Sequence, residues 1–147
     1  MRYPLETPAV TMLALQRKEL PGLPGIETGV DTRFSSSSGR RLLCRVCEEP
    51  ITADGFRISV AGSHLHTRTN PVGLSFEFGC FQEAPGVVTH GTPTSQYTWF
   101  PGHAWAFAAC RGCGEQLGWA FYGAEPAQFF GLICETLVPE EEAPSPM

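Results

Sequence analysis

Residues 99–121 read WFPGHAWAFAACRGCGEQLGWAF and hold every tryptophan of the chain, Trp99, Trp105 and Trp119, together with one close cysteine pair, Cys110 and Cys113. Two short runs, AWAFAA inside this stretch and GWAFYG (118–123) running just past its end, place aromatic residues at every second position, the period of a β-strand. Trp105 and Phe107 therefore project from one face of the first strand, and Trp119 and Phe121 from one face of the second. The C-x-x-C between them turns the chain back. The stretch reads as strand, cysteine knuckle, strand.

A second segment repeats the knuckle. LCRVCEEPI, residues 43–51, resembles ACRGCGEQL, residues 109–117: each is a C-x-x-C with Arg between the cysteines and Glu two residues after the second. A C-x-x-C turn aims two thiolates at one metal, and two turns complete a tetrahedral site with Zn–S near ~2.3 Å. Cys44, Cys47, Cys110 and Cys113 are thus the expected ligands of one structural zinc ion. The stretch separating the knuckles far exceeds a zinc-finger loop, so the metal joins two distant parts of a sheet fold. Two disulfides and a redox C-x-x-C are the rival readings. A reducing compartment opposes the first, and the missing βαβ context opposes the second. A closed four-sulfur site leaves no coordination position for water or substrate, so it stabilises a fold rather than doing chemistry.

Outward from the knuckles, further strand signals appear in FRISV (56–60) and LSFEF (74–78), with turn punctuation at Asp54-Gly55, Asn70-Pro71, Pro85-Gly86 and Pro101-Gly102. PAQFFGLI (126–133) reads as one helical turn running into a last strand. The expectation is an all-β domain over residues 42–139. Residues 1–41, rich in Pro, Gly and Ser, form a leader and linker in which only Val10–Leu20 has helical character, and residues 140–147 form an acidic, disordered tail. The 147 residues carry a formal charge of −5, which argues against a phosphate-binding surface and so against nucleic acid. Arg40, Arg41 and Arg45 gather locally and read as a solvated surface. No stretch approaches the ~20 apolar residues of a membrane helix, and the chain reads as cytoplasmic.

Other chemistry-bearing residues give weaker signals. Cys80 and Cys134 are flanked by apolar residues and read as small buried hydrophobes. His64 and His66, in HLH, share a strand face without an evident third metal ligand, and His90 and His103 stand alone. Tryptophans in a β domain are core residues by default. Here spacing adds to that: Trp105 and Trp119 lie on strands joined by a metal knuckle, and the Pro101-Gly102 turn returns Trp99 toward Trp105. Three indoles held in this way form the walls of a box for a flat or compact ligand.

The combined pattern, W-F-P-G-x-A-W, C-x-x-C, L-G-W-x-F and F-F-G-L, preceded by CRVCEEPIT and HLHTRTNPVG, resembles the CULT domain, the family of the thalidomide-binding domain of cereblon. The resemblance covers the body of the chain and not the leader. It implies a β-tent of two antiparallel sheets pinned by Cys44, Cys47, Cys110 and Cys113. It also implies a cage of Trp99, Trp105 and Trp119 with Phe121 at its base, in which a cyclic imide is bound. By the same resemblance the Tyr97 carbonyl accepts the imide N–H, the Trp99 N–H donates to a ring carbonyl, and Asn70 lines the mouth. Tyr97 stands where cereblon has His. Glutarimide, uracil-like and hydantoin-like rings, or a cyclic imide ending a damaged protein chain, are the ligands expected. No segment resembles cereblon's Lon-like domain or adaptor-binding helices, so no ubiquitin-ligase adaptor is implied, and the likeness is to the single-domain bacterial kind. Two alternatives stand beside it. One is a methionine-R-sulfoxide-reductase-like thiol enzyme using Cys134, although its strand reads ICETL and lacks the Asn that closely follows the cysteine in those enzymes. The other is a zinc-stabilised protein-interaction module.

Overall fold

The computed structural model describes residues 33–141; the helix expected over Val10–Leu20 and residues 142–147 of the expected tail lie outside them. Nine strands follow one another: β1 (Arg41–Cys44), β2 (Pro50–Ala53), β3 (Leu65–Thr69), β4 (Ser75–Phe81), β5 (Val87–Thr94), β6 (Ala104–Cys110), β7 (Gln116–Tyr122), β8 (Gln128–Ile133) and β9 (Leu137–Pro139). Among the described residues the only helical elements are 3-10 turns at Ser36–Ser38, Asp54–Phe56 and Cys134–Thr136. The fold is all-β, as the alternating aromatics require. The strands form a three-stranded sheet, β2-β1-β9, and a six-stranded sheet, β3-β4-β8-β7-β6-β5. Every pairing is antiparallel.

The central strands of the six-stranded sheet are buried on both faces, its edge strands β3 and β5 being largely exposed, and period-two alternation sorts the side chains between the faces. Leu132, Phe81, Leu117 and Cys110 pack with Leu42 and Ile51 of the small sheet. Phe78, Trp105, Phe107, Trp119, Phe121 and Phe129 pack together on the opposite face. The β6–β7 register shifts between Ala108 and Ala109, and the extra residue this places on β7 carries Leu117 to the small-sheet side while Trp119 stays on the aromatic side. Gly131 leaves room for the aromatic layer: a Cβ there would stand 2.9 Å from the Phe78 ring and 3.1 Å from the Phe121 ring.

Two expectations need correction. FRISV is not a strand. Ile58 N–H bonds to the Cys80 carbonyl and Gln82 N–H to the Phe56 carbonyl, but the segment forms only isolated bridges, Arg57 to Phe81 and Val60 to Ser63. The rest of that β4 edge is taken by β3, which pairs with it from Ser75 to Gly79. PAQFFGLI contains no helical turn: it becomes β8, because Phe129 and Leu132 must be buried on opposite faces, and β9 is the last strand. At the boundaries, β1 begins at Arg41, and Glu140 is tied to it by its N–H to the Arg41 carbonyl at 2.9 Å.

Candidate functional site

The two knuckles that resemble each other in sequence fold alike. Cys44 N–H donates to the Glu49 carbonyl and Glu48 N–H to the Cys44 carbonyl, both at 2.8 Å; Cys110 N–H donates to Glu115 at 2.8 Å and Gly114 N–H to Cys110 at 2.9 Å. The matched positions Glu48 and Gly114 both take the left-handed conformation, with φ of 68° and 83°. The knuckles close β1 onto β2 and β6 onto β7, so the cysteines join the two sheets.

The four sulfurs lie within 4.8 Å of one another. Cys44 and Cys113 are 3.8 Å apart and Cys47 and Cys110 3.5 Å. A sulfur tetrahedron around an ion at ~2.3 Å has edges of ~3.8 Å, whereas a disulfide needs ~2.05 Å. All four are free thiols, so the disulfide reading is excluded and the donor set fits one tetrahedral soft metal ion. Gly112 N–H points at the Cys110 sulfur at 3.2 Å. A Cβ on Gly112 would stand 3.1 Å from the Cys47 sulfur, so glycine lets one knuckle lie against the other. Burial pushes the Cys110 thiol up, and it pushes Cys113 up to about 11 with Cys44 adding to the effect. Burial also opposes ionisation of Cys44, but the Cys47 and Val46 N–H groups outweigh it and hold that thiol below its ordinary value. Four thiols at this spacing cannot all ionise alone; a divalent cation removes the conflict.

Behind the second knuckle lies the aromatic layer. Trp105 pairs across β6–β7 with Phe121, and Phe107 with Trp119. Trp105 and Trp119 are 3% and 1% exposed; Trp99, which enters on the 95–103 loop, is half-buried. Trp99 meets Trp119 edge to face, ring centroids 4.9 Å apart, and stacks on Phe78 at 5.5 Å. Phe121 stacks on Phe129 at 4.9 Å, deeper in the layer. The loop is pinned through its indoles: Trp105 Nε1 donates to the Gln96 carbonyl at 2.8 Å, and Trp99 Nε1 to Thr69 at 3.3 Å. Tyr97, half-exposed between these pins, has φ of 61°, a left-handed conformation that a non-glycine residue adopts at a cost. Asn70 is 4% exposed; its Oδ1 accepts from the N–H groups of Val72 and Leu74, and among the described residues its Nδ2 has no hydrogen-bond partner. Sequence reasoning did not assign Phe76 and Phe78 to this site, although both touch Trp99 and Trp119. The signal lies in the alternation of LSFEF, which sets Phe76 and Phe78 on one face of their strand.

No family model matches the chain. Protein cereblon of Gallus gallus is 33% identical over 105 residues, which span 67% of this chain and 23% of that protein. Its counterpart in Danio rerio is 32% identical over 105 residues, 67% and 24% of the two chains. That of Xenopus tropicalis is 33% identical over 110 residues, 70% and 24%. This chain carries a cereblon-like CULT domain. It spans about a quarter of the length of these relatives.

The remaining sequence candidates lie outside the cysteine cluster. His64 Nδ1 lies 3.1 Å from the Ile58 carbonyl and its Nε2 2.8 Å from Arg57, while His66 Nε2 lies 3.0 Å from the Val60 and Ser63 carbonyls. Both imidazoles are thus engaged, and among the described residues the four cysteines are the only cluster suited to a metal. His103 Nε2 donates to the Pro126 carbonyl at 2.8 Å, and His90 pairs across from Phe107 on the edge strand β5. Cys80 is fully buried, which pushes its thiol up to about 12. Cys134 is exposed, correcting its reading as buried, and partial burial together with Glu77 raises its thiol. Arg40 and Arg41 pair with Asp54 and Glu140, and Arg45 donates to the Glu135 carbonyl. Among the described residues no helix is long and apolar enough to cross a membrane.

Proposed function

We propose that this CULT domain is a binding module for small cyclic imides, taken up among Trp99, Trp105 and Trp119 above Phe121, with zinc as the structural ion of the four cysteines. The observation that carries the reading is the placement of all three tryptophans and Phe121 in one aromatic layer on the strands and loop that flank the second knuckle, with Trp99 at its accessible side. An imide offers an N–H and two carbonyls. The backbone of the 95–103 loop, strained at Tyr97, supplies the matching acceptor and donor: the Tyr97 carbonyl for the ring N–H and the Trp99 N–H for a ring carbonyl. Aromatic walls exclude water from these bonds and strengthen them. A glutarimide has few heavy atoms, so the expected Kd lies between ~100 μM and ~1 μM. Rings of the uracil and hydantoin type, and a cyclic imide ending a damaged protein chain, present the same edge.

The reading is of a binding domain and not an enzyme. Four sulfurs around one ion leave no open position for a substrate. A catalytic thiol needs a lowered pKa, and that of Cys134 is raised. Four reduced thiols suit a cytoplasmic setting. The reading assigns no nucleic acid, membrane or ubiquitin-ligase adaptor as partner.

The test is calorimetric titration of the zinc-loaded protein with a glutarimide-bearing ligand, beside Trp105→Ala. Micromolar binding lost in the variant supports the cage. No heat from a folded, zinc-loaded protein would sink the reading, and reduction of methionine sulfoxide dependent on Cys134 would replace it with an enzyme.

A further inference from the structure

β3 sends His66 and Arg68 toward the aromatic layer, and Asn70 follows one step past the end of the strand. His66 stacks on Phe78 with centroids 5.7 Å apart. Arg68 pairs in register with Phe76, and its guanidinium carbon lies 5.7 Å from the Phe100 ring centroid. Those two phenylalanines flank Trp99: Phe76 lies 6.4 Å from the indole and Phe100 is the next residue in the chain. Between Arg68 and Asn70, the Thr69 carbonyl holds the Trp99 indole N–H.

Either side of that carbonyl stands a hydrogen-bond donor in want of an acceptor. Among the described residues Arg68 donates only to its neighbour's carbonyl, Thr67 at 3.1 Å, and no carboxylate pairs with it. Asn70 Nδ2 is buried and has no acceptor among the described residues. A buried N–H without a partner is costly, and a half-buried guanidinium against an aromatic ring is a ready site for a carboxylate. With a formal charge of −5 the chain has no general attraction for anions, so this pair of donors is a local feature.

We propose that the imide bound by this domain carries a carboxylate on the substituent leaving its ring, that Arg68 pairs with that carboxylate, and that Asn70 Nδ2 donates to the carbonyl beside it. The inference rests on the imide reading above and narrows it from cyclic imides in general to anionic ones. Arg68 is then the residue that sets specificity at the mouth of the site.

The experiment compares two probes on the zinc-loaded full chain: neutral N-acetyl-3-aminoglutarimide and its N-succinyl counterpart, which adds a carboxylate. The succinyl probe is expected to bind about tenfold more tightly, the size of one charge-assisted hydrogen bond. The readout is the ratio of the two Kd values. It should fall to about one in Arg68→Gln, be largely kept in Arg68→Lys, and shrink as salt is raised. A ratio near one in the unaltered protein, or a preference that survives Arg68→Gln, overturns the inference while the neutral probe's binding leaves the imide reading standing. If neither probe binds a folded, zinc-loaded protein, the imide reading fails and the inference falls with it.

Discussion

The two faces of the six-stranded sheet are covered in opposite ways. Toward the small sheet, Leu132, Phe81 and Leu117 meet Leu42 and Ile51, strand against strand, with the four cysteines at the seam. Toward the other side, Trp105, Trp119, Phe121 and Phe129 are roofed by Ile58 and Val60 and by Trp99 and Phe100, all carried on connecting segments. The first cover is a sheet knit by its own ladder hydrogen bonds and held in place by apolar contacts and, when metal is bound, by four sulfur bonds. The second is held by ring contacts and a few side-chain hydrogen bonds such as Trp105 to Gln96. Loop cover of this kind opens at lower free energy than a sheet. One face holds the domain together, and the other is the face to which the proposed function assigns the ligand.

Breaking the seam should have the largest effect. A structural zinc ion adds ~10–16 kcal/mol of binding free energy to folding in small domains. Stripping the metal with a chelator, or replacing Cys44 by Ser, is expected to abolish the cooperative thermal transition seen by circular dichroism. A metal-free protein with an unchanged melting curve would show that the small sheet is held by its apolar contacts alone.

Within the aromatic face, depth should separate stability from binding. Trp119, 1% exposed and touching Phe76, Phe78 and Trp99, is core: Trp119→Ala should cost ~3–5 kcal/mol in denaturant unfolding. Half-buried Trp99 should cost much less, ~1–2 kcal/mol as Ala, while losing imide binding as completely. Equal losses of stability would mean that the loop is as firmly packed as the strands, and the contrast between the faces would collapse. Gly131→Ala sits between the two. The added methyl meets Phe78 and Phe121 rings at 2.9–3.1 Å, and overpacking of that kind costs ~1–3 kcal/mol.

The bolted face was the more legible in the sequence. Two C-x-x-C segments of matching pattern announced the four-cysteine cluster, because metal ligation demands fixed residue types at fixed spacing. AWAFAA and GWAFYG gave β6 and β7 for a similar reason: burial on a sheet enforces a period of two. The loop-covered face was less legible. FRISV has the period of a strand, yet β3 competes for the same edge of β4, and no local pattern reveals which segment wins. Phe76 and Phe78 reach Trp99 and Trp119, and Arg68 reaches Phe100, through strand pairing between β3, β4 and β8, which sequence periodicity does not disclose. Tyr97 carries no glycine-like signal for its left-handed backbone.

The smallest expected effect lies at the outer edge of the small sheet, where Arg41 grips Glu140 through two hydrogen bonds at 2.9 and 2.6 Å. Arg41 holds the Glu140 carboxyl below its ordinary value of 4.5, against a small opposing effect of burial. A carboxyl with a depressed folded pKa stabilises the fold fully above its unfolded value. That increment is lost as pH falls below about 4.5 and through the folded pKa. Both side chains are about a third exposed, at 30% and 37%, so solvent screens the pair and its worth is ~0.5 kcal/mol. Glu140→Gln should lower stability by that amount at neutral pH and flatten the decline between pH 5 and 3 slightly. Because β9 also binds β1 through backbone pairing at Leu42, Leu43 and Cys44, the variant should leave metal affinity unchanged. A measured loss of metal affinity in Glu140→Gln would show instead that the seam depends on this outer clasp and that the small sheet is less self-sufficient than its ladder implies.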